Sequence, residues 1–191
     1  PTGPTVSVNE GQKAQNRTYQ DLLKNNNDEF NFEQLVRSEL YKVDLKGKSE
    51  LWKTVDMYRG LNFSPNGEYI LVTTISRPFS YIVPYYRFPS TTIIYDKAGN
   101  EIKKILEVPL IEELPKGFMA ERTGMRNLNW RSDKPASLYW AEVLDEGDPE
   151  VEEEYRDEVF TLDAPFTGEK KSILKTINRY AYIYWGNDDV A

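Results

Sequence analysis

The sequence predicts an all-β fold, a partial β-propeller of four-stranded antiparallel blades preceded by a short extended and helical segment, and three observations carry that prediction. The first is the stretch 61–74, LNFSPNGEYILVTT, in which apolar Leu61 and Phe63 lead into the turn Ser64-Pro65-Asn66-Gly67. An alternating strand through Tyr69, Leu71 and Thr73 leads out of it, as in a hairpin of two half-buried strands. The second is recurrence. The same order of parts returns in LNWRSDKPASLYWAEV from Leu128, with Phe63 and Trp130 as matching aromatics 130 − 63 = 67 residues apart. A further copy begins at Tyr182, with Trp185 a further 185 − 130 = 55 residues along. The third is a different hairpin that alternates with the first. It occurs at 38–54, 92–102 and 159–169, each time with an Asp closing the outgoing strand (Asp44, Asp96, Asp163) and a Gly expected in the turn (Gly47, Gly99, Gly168). One hairpin of each kind makes a four-stranded unit, and fixed-order repetition of such units is the mark of a propeller.

Taken in order, residues 1–17 are rich in Pro, Gly, Thr and Asn without periodicity and read as an extended lead-in. Thr18 is placed to cap a short helix that ends at the Asn25-Asn26-Asn27 run, and a second short helix is expected over Asp28 to Leu35. The organisation is therefore an N-terminal segment, 1–37, and a partial propeller, 38–191. Within the latter lie the outer hairpin of one blade (38–54), two full blades (57–107 and 124–175) and the first strand of the next (179–185). Phe63, Leu71, Ile93, Trp130, Tyr139 and Phe160 are the expected inter-sheet core. Two blades cannot close a ring that has four or more, so the chain reads as a piece of a larger protein.

Three inserts interrupt the strands. Residues 76–90, SRPFSYIVPYYRFPS, combine three prolines, five aromatics and two arginines. They read either as a proline-stiffened loop packing its rings on the blade or as a recognition loop. In the second reading rigid aromatics supply contact area at low entropic cost and Arg77 or Arg87 pairs with a carboxylate. The 108–123 insert is expected to hold a helical turn at Ile111-Glu-Glu-Leu-Pro. The acidic insert 145–158 does not match the spacing of a calcium loop and reads as a solvated hairpin excursion.

The chain is acidic, with net charge −7. It has no basic footprint for nucleic acid or anionic membrane, and no apolar run near the ~20 residues of a membrane span. It has no cysteine and no histidine, which excludes a disulfide scaffold, a thiol nucleophile and the usual general base of a serine triad within these residues. G-x-S-x-G, P-loop and G-x-G-x-x-G motifs are absent from the sequence. No catalytic residue, metal ligand or cofactor is therefore assigned. The first residues, PTGPTVSV, carry neither an initiator Met nor a signal-peptide apolar region. The chain is read as starting inside a longer product or after a processed segment, with an extracytoplasmic location, periplasmic or secreted, as the expectation.

The segments RTYQDLLKN (17–25), ISRPFSYIVPYYRFP (75–89) and GMRNLNWRSDKPASLYWAE (124–142) resemble the propeller portion of prolyl-oligopeptidase-family serine peptidases. The resemblance is to the glutamyl-endopeptidase-like group in particular, whose members also go by the names dipeptidyl aminopeptidase and acylaminoacyl peptidase. It implies a serine peptidase as parent, an α/β-hydrolase domain elsewhere in it that carries the triad, and a peptide substrate whose access the propeller gates. Arg77, Phe79, Tyr81 and Arg87 are then the candidates for substrate contact. The competing expectation is a non-enzymatic propeller that binds a protein or glycan. In isolation the fragment is expected to self-associate through uncovered sheet faces or the aromatic edge at 180–185, unless segment 1–37 folds back as a cap.

Overall fold

The structure is a computed structural model that describes residues 19–187 and 190–191. The lead-in 1–17 and Thr18 lie outside the described residues. The helix α1 (Asn26–Val36) is followed by β1 (Ser38–Val43), β2 (Ser49–Asp56), β3 (Tyr58–Phe63), β4 (Tyr69–Ile75), β5 (Ser90–Asp96) and β6 (Glu101–Val108). Then come β7 (Arg126–Trp130), β8 (Ser137–Val143), β9 (Asp157–Asp163) and β10 (Lys171–Thr176). They form a two-stranded sheet β1-β2 and two four-stranded antiparallel sheets, β3-β4-β5-β6 and β7-β8-β9-β10, each a meander in chain order. The fold is all-β as expected, with the hairpins where the turn residues put them.

The turns explain the registers. Ser64 Oγ accepts from the Tyr69 amide at 3.0 Å and the Gly67 amide donates to the Ser64 carbonyl at 2.8 Å, closing the β3–β4 turn with Gly67 at φ 71°. Gly47 and Gly99 occupy left-handed φ three residues after Asp44 and Asp96, and each amide returns to that Asp carbonyl at 3.0 Å. The third copy departs from the pattern. There the left-handed residue three after Asp163 is Phe166, at φ 65°, and not Gly168. Its ring explains the exception, because it is fully buried between the two four-stranded sheets, with Tyr69 at 5.1 Å and Trp130 at 5.9 Å between centroids. A glycine would leave that space empty.

The two large sheets stack face to face. Leu71 and Ile94 of one pack with Trp130, Leu138, Trp140 and Leu162 of the other, and Trp130 Nε1 donates to the Asn62 carbonyl on β3 at 3.0 Å. Strands β4 and β8 are buried on both faces because each sheet has a second neighbour. Trp52 and Lys53 of β2 lie on the β5–β6 turn, with Lys53 Nζ 2.7 Å from the Gly99 carbonyl and over the Tyr95 ring. On the far side Tyr180 and Ile183 cover Ala141 and Val159.

Several expectations are corrected. Phe63 is 61% exposed. Its repeat partner Trp130 is buried because a complete sheet lies over it, whereas the two-stranded sheet contacts the β5–β6 hairpin at Tyr95 and Gly99, at the other side of the sheet from β3. Leu71 and Trp130 are buried as expected, but Ile93, Tyr139 and Phe160 are half-buried, and their neighbours Ile94, Leu138, Trp140 and Val159 fill the interior instead. Among the described residues there is one α-helix, not two: α1 is the helix expected over 28–35, none precedes it at 19–25, and the Asn run caps its start, with Asn25 Oδ1 accepting from the amides of Asn27 and Asp28 at 2.9 and 3.1 Å. The helical turn expected at 111–115 is absent, since Pro115 disfavours helical backbone at Leu114. Residues 179–185 form no strand and fold across β8 and β9, with Trp185 against Tyr139 and the Arg131 guanidinium. The acidic insert is only partly solvated, because Asp145 and Asp157 at its two ends are fully buried.

Candidate functional site

Two features bear on function, the 76–90 loop and a cleft beside it. The loop is closed by the Ser76 amide on the Pro89 carbonyl, 2.9 Å, and contains a short 3-10 turn at Tyr85–Arg87. α1 clasps it. Phe32 sits edge-on to Phe79 at 5.2 Å and to Phe88 at 5.7 Å, and Tyr19, Leu23 and Val36 complete the apolar contact. Arg77 bridges Glu29 at 2.6 Å and Glu33 at 2.9 Å on α1 and lies over the Phe79 ring. The Arg77 hydrogen bond in turn holds the Glu29 carboxyl below its ordinary value.

The four candidate contact residues are thus drawn into one neighbourhood with different roles. Phe79 is buried in the α1 contact, and Arg87 is 8% exposed with its guanidinium over the Tyr19 ring. Tyr81 is 41% exposed, its hydroxyl donating to Asn26 Oδ1 at 2.9 Å. The loop's open surface is carried by Ile82, Tyr85 and Tyr86.

Behind Tyr86 lies a cleft of about 300 Å³ between β3 and β7, the first strands of the two large sheets. Arg59, Arg122 and Arg126 line it, together with Asn62, Thr73, Thr92 and apolar side chains, and among the described residues its lining contains no Asp or Glu. Both flanking strands are irregular at the arginine. Register shifts fall between Tyr58 and Gly60 on β3 and between Arg126 and Asn129 on β7, where Asn127 takes φ 55°. A bulge of this kind turns a side chain away from regular alternation.

Each guanidinium is differently held. Arg59 is exposed and donates from Nη1 to the Tyr86 carbonyl at 3.3 Å. Arg122 donates to the carbonyls of Thr123 and Met125. Burial pulls it below its ordinary value; Glu121 opposes that, and the positive charges of Arg126 and Arg59 add to it. Arg126 is 6% exposed and forms an ion pair through Nη2 with Asp157, while its Nε has no hydrogen-bond partner among the described residues. Larger depressions exist, but the one of about 800 Å³ mixes Lys97 and Lys134 with Glu68, Asp96 and Asp163 and favours neither charge.

None of these arginines stands out in the sequence singly. The signal that would have found two of them is the repeat itself, since 126 − 59 = 67 is the spacing already seen between Phe63 and Trp130. Arg59 and Arg126 occupy one repeat position on successive sheets.

Among known proteins, two relatives are similar over the entire chain. A probable chloroplastic glutamyl endopeptidase of Oryza sativa subsp. japonica is 37% identical over 194 aligned residues, and one of Arabidopsis thaliana is also 37% identical over 194. Comparison with family descriptions and with solved structures found no match. Both relatives are named as chloroplast proteins and lend no support to the extracytoplasmic location expected from the sequence. All of this chain is aligned but only 21% and 20% of the relatives, so it spans about one fifth of the length of the curated relatives it matches.

Proposed function

We propose that this chain is the propeller portion of a serine peptidase of the glutamyl-endopeptidase kind, with the two stacked sheets as successive blades that line and gate the way to a hydrolase active site outside it. The observation that carries the reading is 37% identity, over all of this chain, to two proteins named as glutamyl endopeptidases. The stacked meanders and the exposed aromatic loop support it, since a blade edge that carries Ile82, Tyr85 and Tyr86 offers rigid contact area to an extended peptide. Expressed at full length, the parent protein should cleave peptides after Glu and lose activity to a serine-reactive fluorophosphonate. Intact activity after that treatment would exclude a serine nucleophile.

In the same reading Arg77, Phe79, Tyr81 and Arg87 shape or touch the substrate path. Changing Arg77 or Arg87 to Ala in the full-length protein should lower the preference for Glu over Gln substrates by about tenfold, the value of one hydrogen bond to a charged group. Unchanged selectivity in both variants would leave Arg77 as a clasp between loop and helix and nothing more.

The reading also bears on the isolated chain. Tyr41, Val43, Leu51 and Val55 of the two-stranded sheet and Phe63 of β3 are all more than 45% exposed, on faces that a neighbouring blade would cover. The 22.2 kDa chain should therefore sediment as dimers or larger at micromolar concentration. α1 lies over the 76–90 loop and does not mask these residues. A clean monomer would reject self-association.

A further inference from the structure

We propose that the cleft between β3 and β7 is a carboxylate-binding site for an acidic peptide, held by the guanidinium groups of Arg59, Arg122 and Arg126. That the ligand is a peptide rests on the peptidase reading above; that the site takes an anion rests on the cleft alone. Three arginines face one volume of about 300 Å³ whose lining, among the described residues, supplies no carboxylate. In a protein of net charge −7, with Asp and Glu outnumbering Lys and Arg 31 to 24, arginines have acidic partners at hand. Arg77, Arg131, Arg156 and Arg179 all take them. Arg59 and Arg122 instead donate to backbone carbonyls, which leaves their charge uncompensated by a direct ion pair in the cleft.

Arg126 supplies the second observation. It is more than nine-tenths buried and lines the cleft, and Asp157 forms an ion pair with its Nη2 while Nε has no acceptor among the described residues. A buried guanidinium donor is costly to leave unmade, and a carboxylate oxygen is the acceptor that best matches guanidinium geometry. Burial works against the charge of Arg122 and the two neighbouring guanidiniums add to that, so an anion in the cleft relieves their mutual repulsion.

The shape limits the occupant further. A volume of about 300 Å³ accommodates an acidic side chain or a chain terminus but not a folded partner, and Leu71, Leu106 and Leu128 in the lining suit the methylene stem of such a group. Thr73 and Thr92, whose hydroxyls are hydrogen-bonded to each other at 2.8 Å, leave one O–H to donate at the wall. The cleft mouth lies at Tyr86, which joins it to the exposed aromatic surface of the 76–90 loop. The matching positions of Arg59, at a register shift on β3, and Arg126, beside one on β7, give the arrangement a basis in the repeat.

Calorimetric titration of the 191-residue chain at low ionic strength tests this with three probes. These are N-acetyl-Ala-Glu-Ala-amide, the same peptide with Gln, and the Gln peptide with a free C-terminal carboxylate. The Glu amide should bind at least about tenfold more tightly than the Gln amide, the factor expected of one charge-assisted hydrogen bond. The third probe shows whether a terminal carboxylate serves as well as a side chain. Arg59→Ala should weaken Glu-peptide binding by about tenfold or more and Arg59→Glu should abolish it, while Lys97→Ala, outside the cleft, should leave it unchanged. Because Arg59 is exposed, these variants retain the fold.

Equal binding of the Glu and Gln amides, or unaltered binding by Arg59→Glu, would overturn the site. Inorganic phosphate binding more tightly than either carboxylate peptide would overturn its assignment to a peptide. The peptidase reading fails separately: a full-length protein that does not cleave after Glu, but whose cleft still selects Glu over Gln, refutes the activity and upholds the site.

Discussion

Replacing Asp157 by Ala should destabilise the chain by about 3–5 kcal/mol, the cost of leaving buried guanidinium charge without its partner. Asp157 is fully buried, forms an ion pair with Arg126, and accepts from Arg179 Nη1 at 3.3 Å and from the Tyr180 amide. One carboxylate thus ties β7, β9 and the 177–187 segment together. The adjacent Asp145, equally buried, accepts from Arg156 at 2.8 Å and from Arg179 at 2.6 Å. Urea unfolding followed by tryptophan fluorescence measures the loss, and a midpoint within error of wild type would show that these charges are solvated in solution.

The same network sets an acid limit. Burial works to raise the Asp145 carboxyl, but the hydrogen bonds from Arg179 and Arg156 outweigh it, and the net shift is downward. A carboxyl whose folded pKa lies below its unfolded value contributes stability that is complete above about pH 4. That contribution disappears as pH falls through the folded value. Stability should therefore decline below about pH 4, and Asp145→Asn should flatten that decline. An identical pH slope in the variant would count against the ion pairs.

Trp130→Ala is the second large effect, expected at about 3–5 kcal/mol for an aromatic removed from a packed layer. The indole is 7% exposed, packs against Phe166 and donates to the Asn62 carbonyl across the sheet interface. Trp130→Phe, which keeps most of the ring and loses the donor, should cost about 1 kcal/mol. Phe63→Ala should cost far less although it holds the same repeat position, because its ring is 61% exposed. Equal losses at 63 and 130 would mean that β3 is covered in solution.

Legibility followed the range of the interactions involved. Hairpins depend on neighbours a few residues apart, and the Ser64–Gly67 turn and the Asp-to-Gly turns at 44–47 and 96–99 were readable from turn chemistry. The helix over 28–35 was legible, but the one expected to end at the Asn run is absent from 19–25, because an Asn run both ends and caps helices and only the Asn25 side chain on the amides of Asn27 and Asp28 decides between the two. The candidate site was half legible. The 76–90 loop stands out by composition, but what Arg77 touches depends on α1, 44 residues away at Glu33. The cleft arginines carry no local signal, because Arg59, Arg122 and Arg126 belong to three separate segments and only the 67-residue repeat relates two of them.

By itself, then, the sequence determined the local elements: the antiparallel hairpins, their registers and their grouping into four-stranded units, all set by alternation and turn residues within a dozen positions. Only the tertiary structure decided which of two equivalent aromatics is buried, why Phe166 stands where a glycine was expected, where the acidic insert finds its arginines, and that three arginines share one cleft. Those outcomes depend on which sheet lies over which. Burial and charge pairing are properties of the stacked faces, made by residues some 60 positions apart in the chain, as with Trp130 and Asn62, separated by 68.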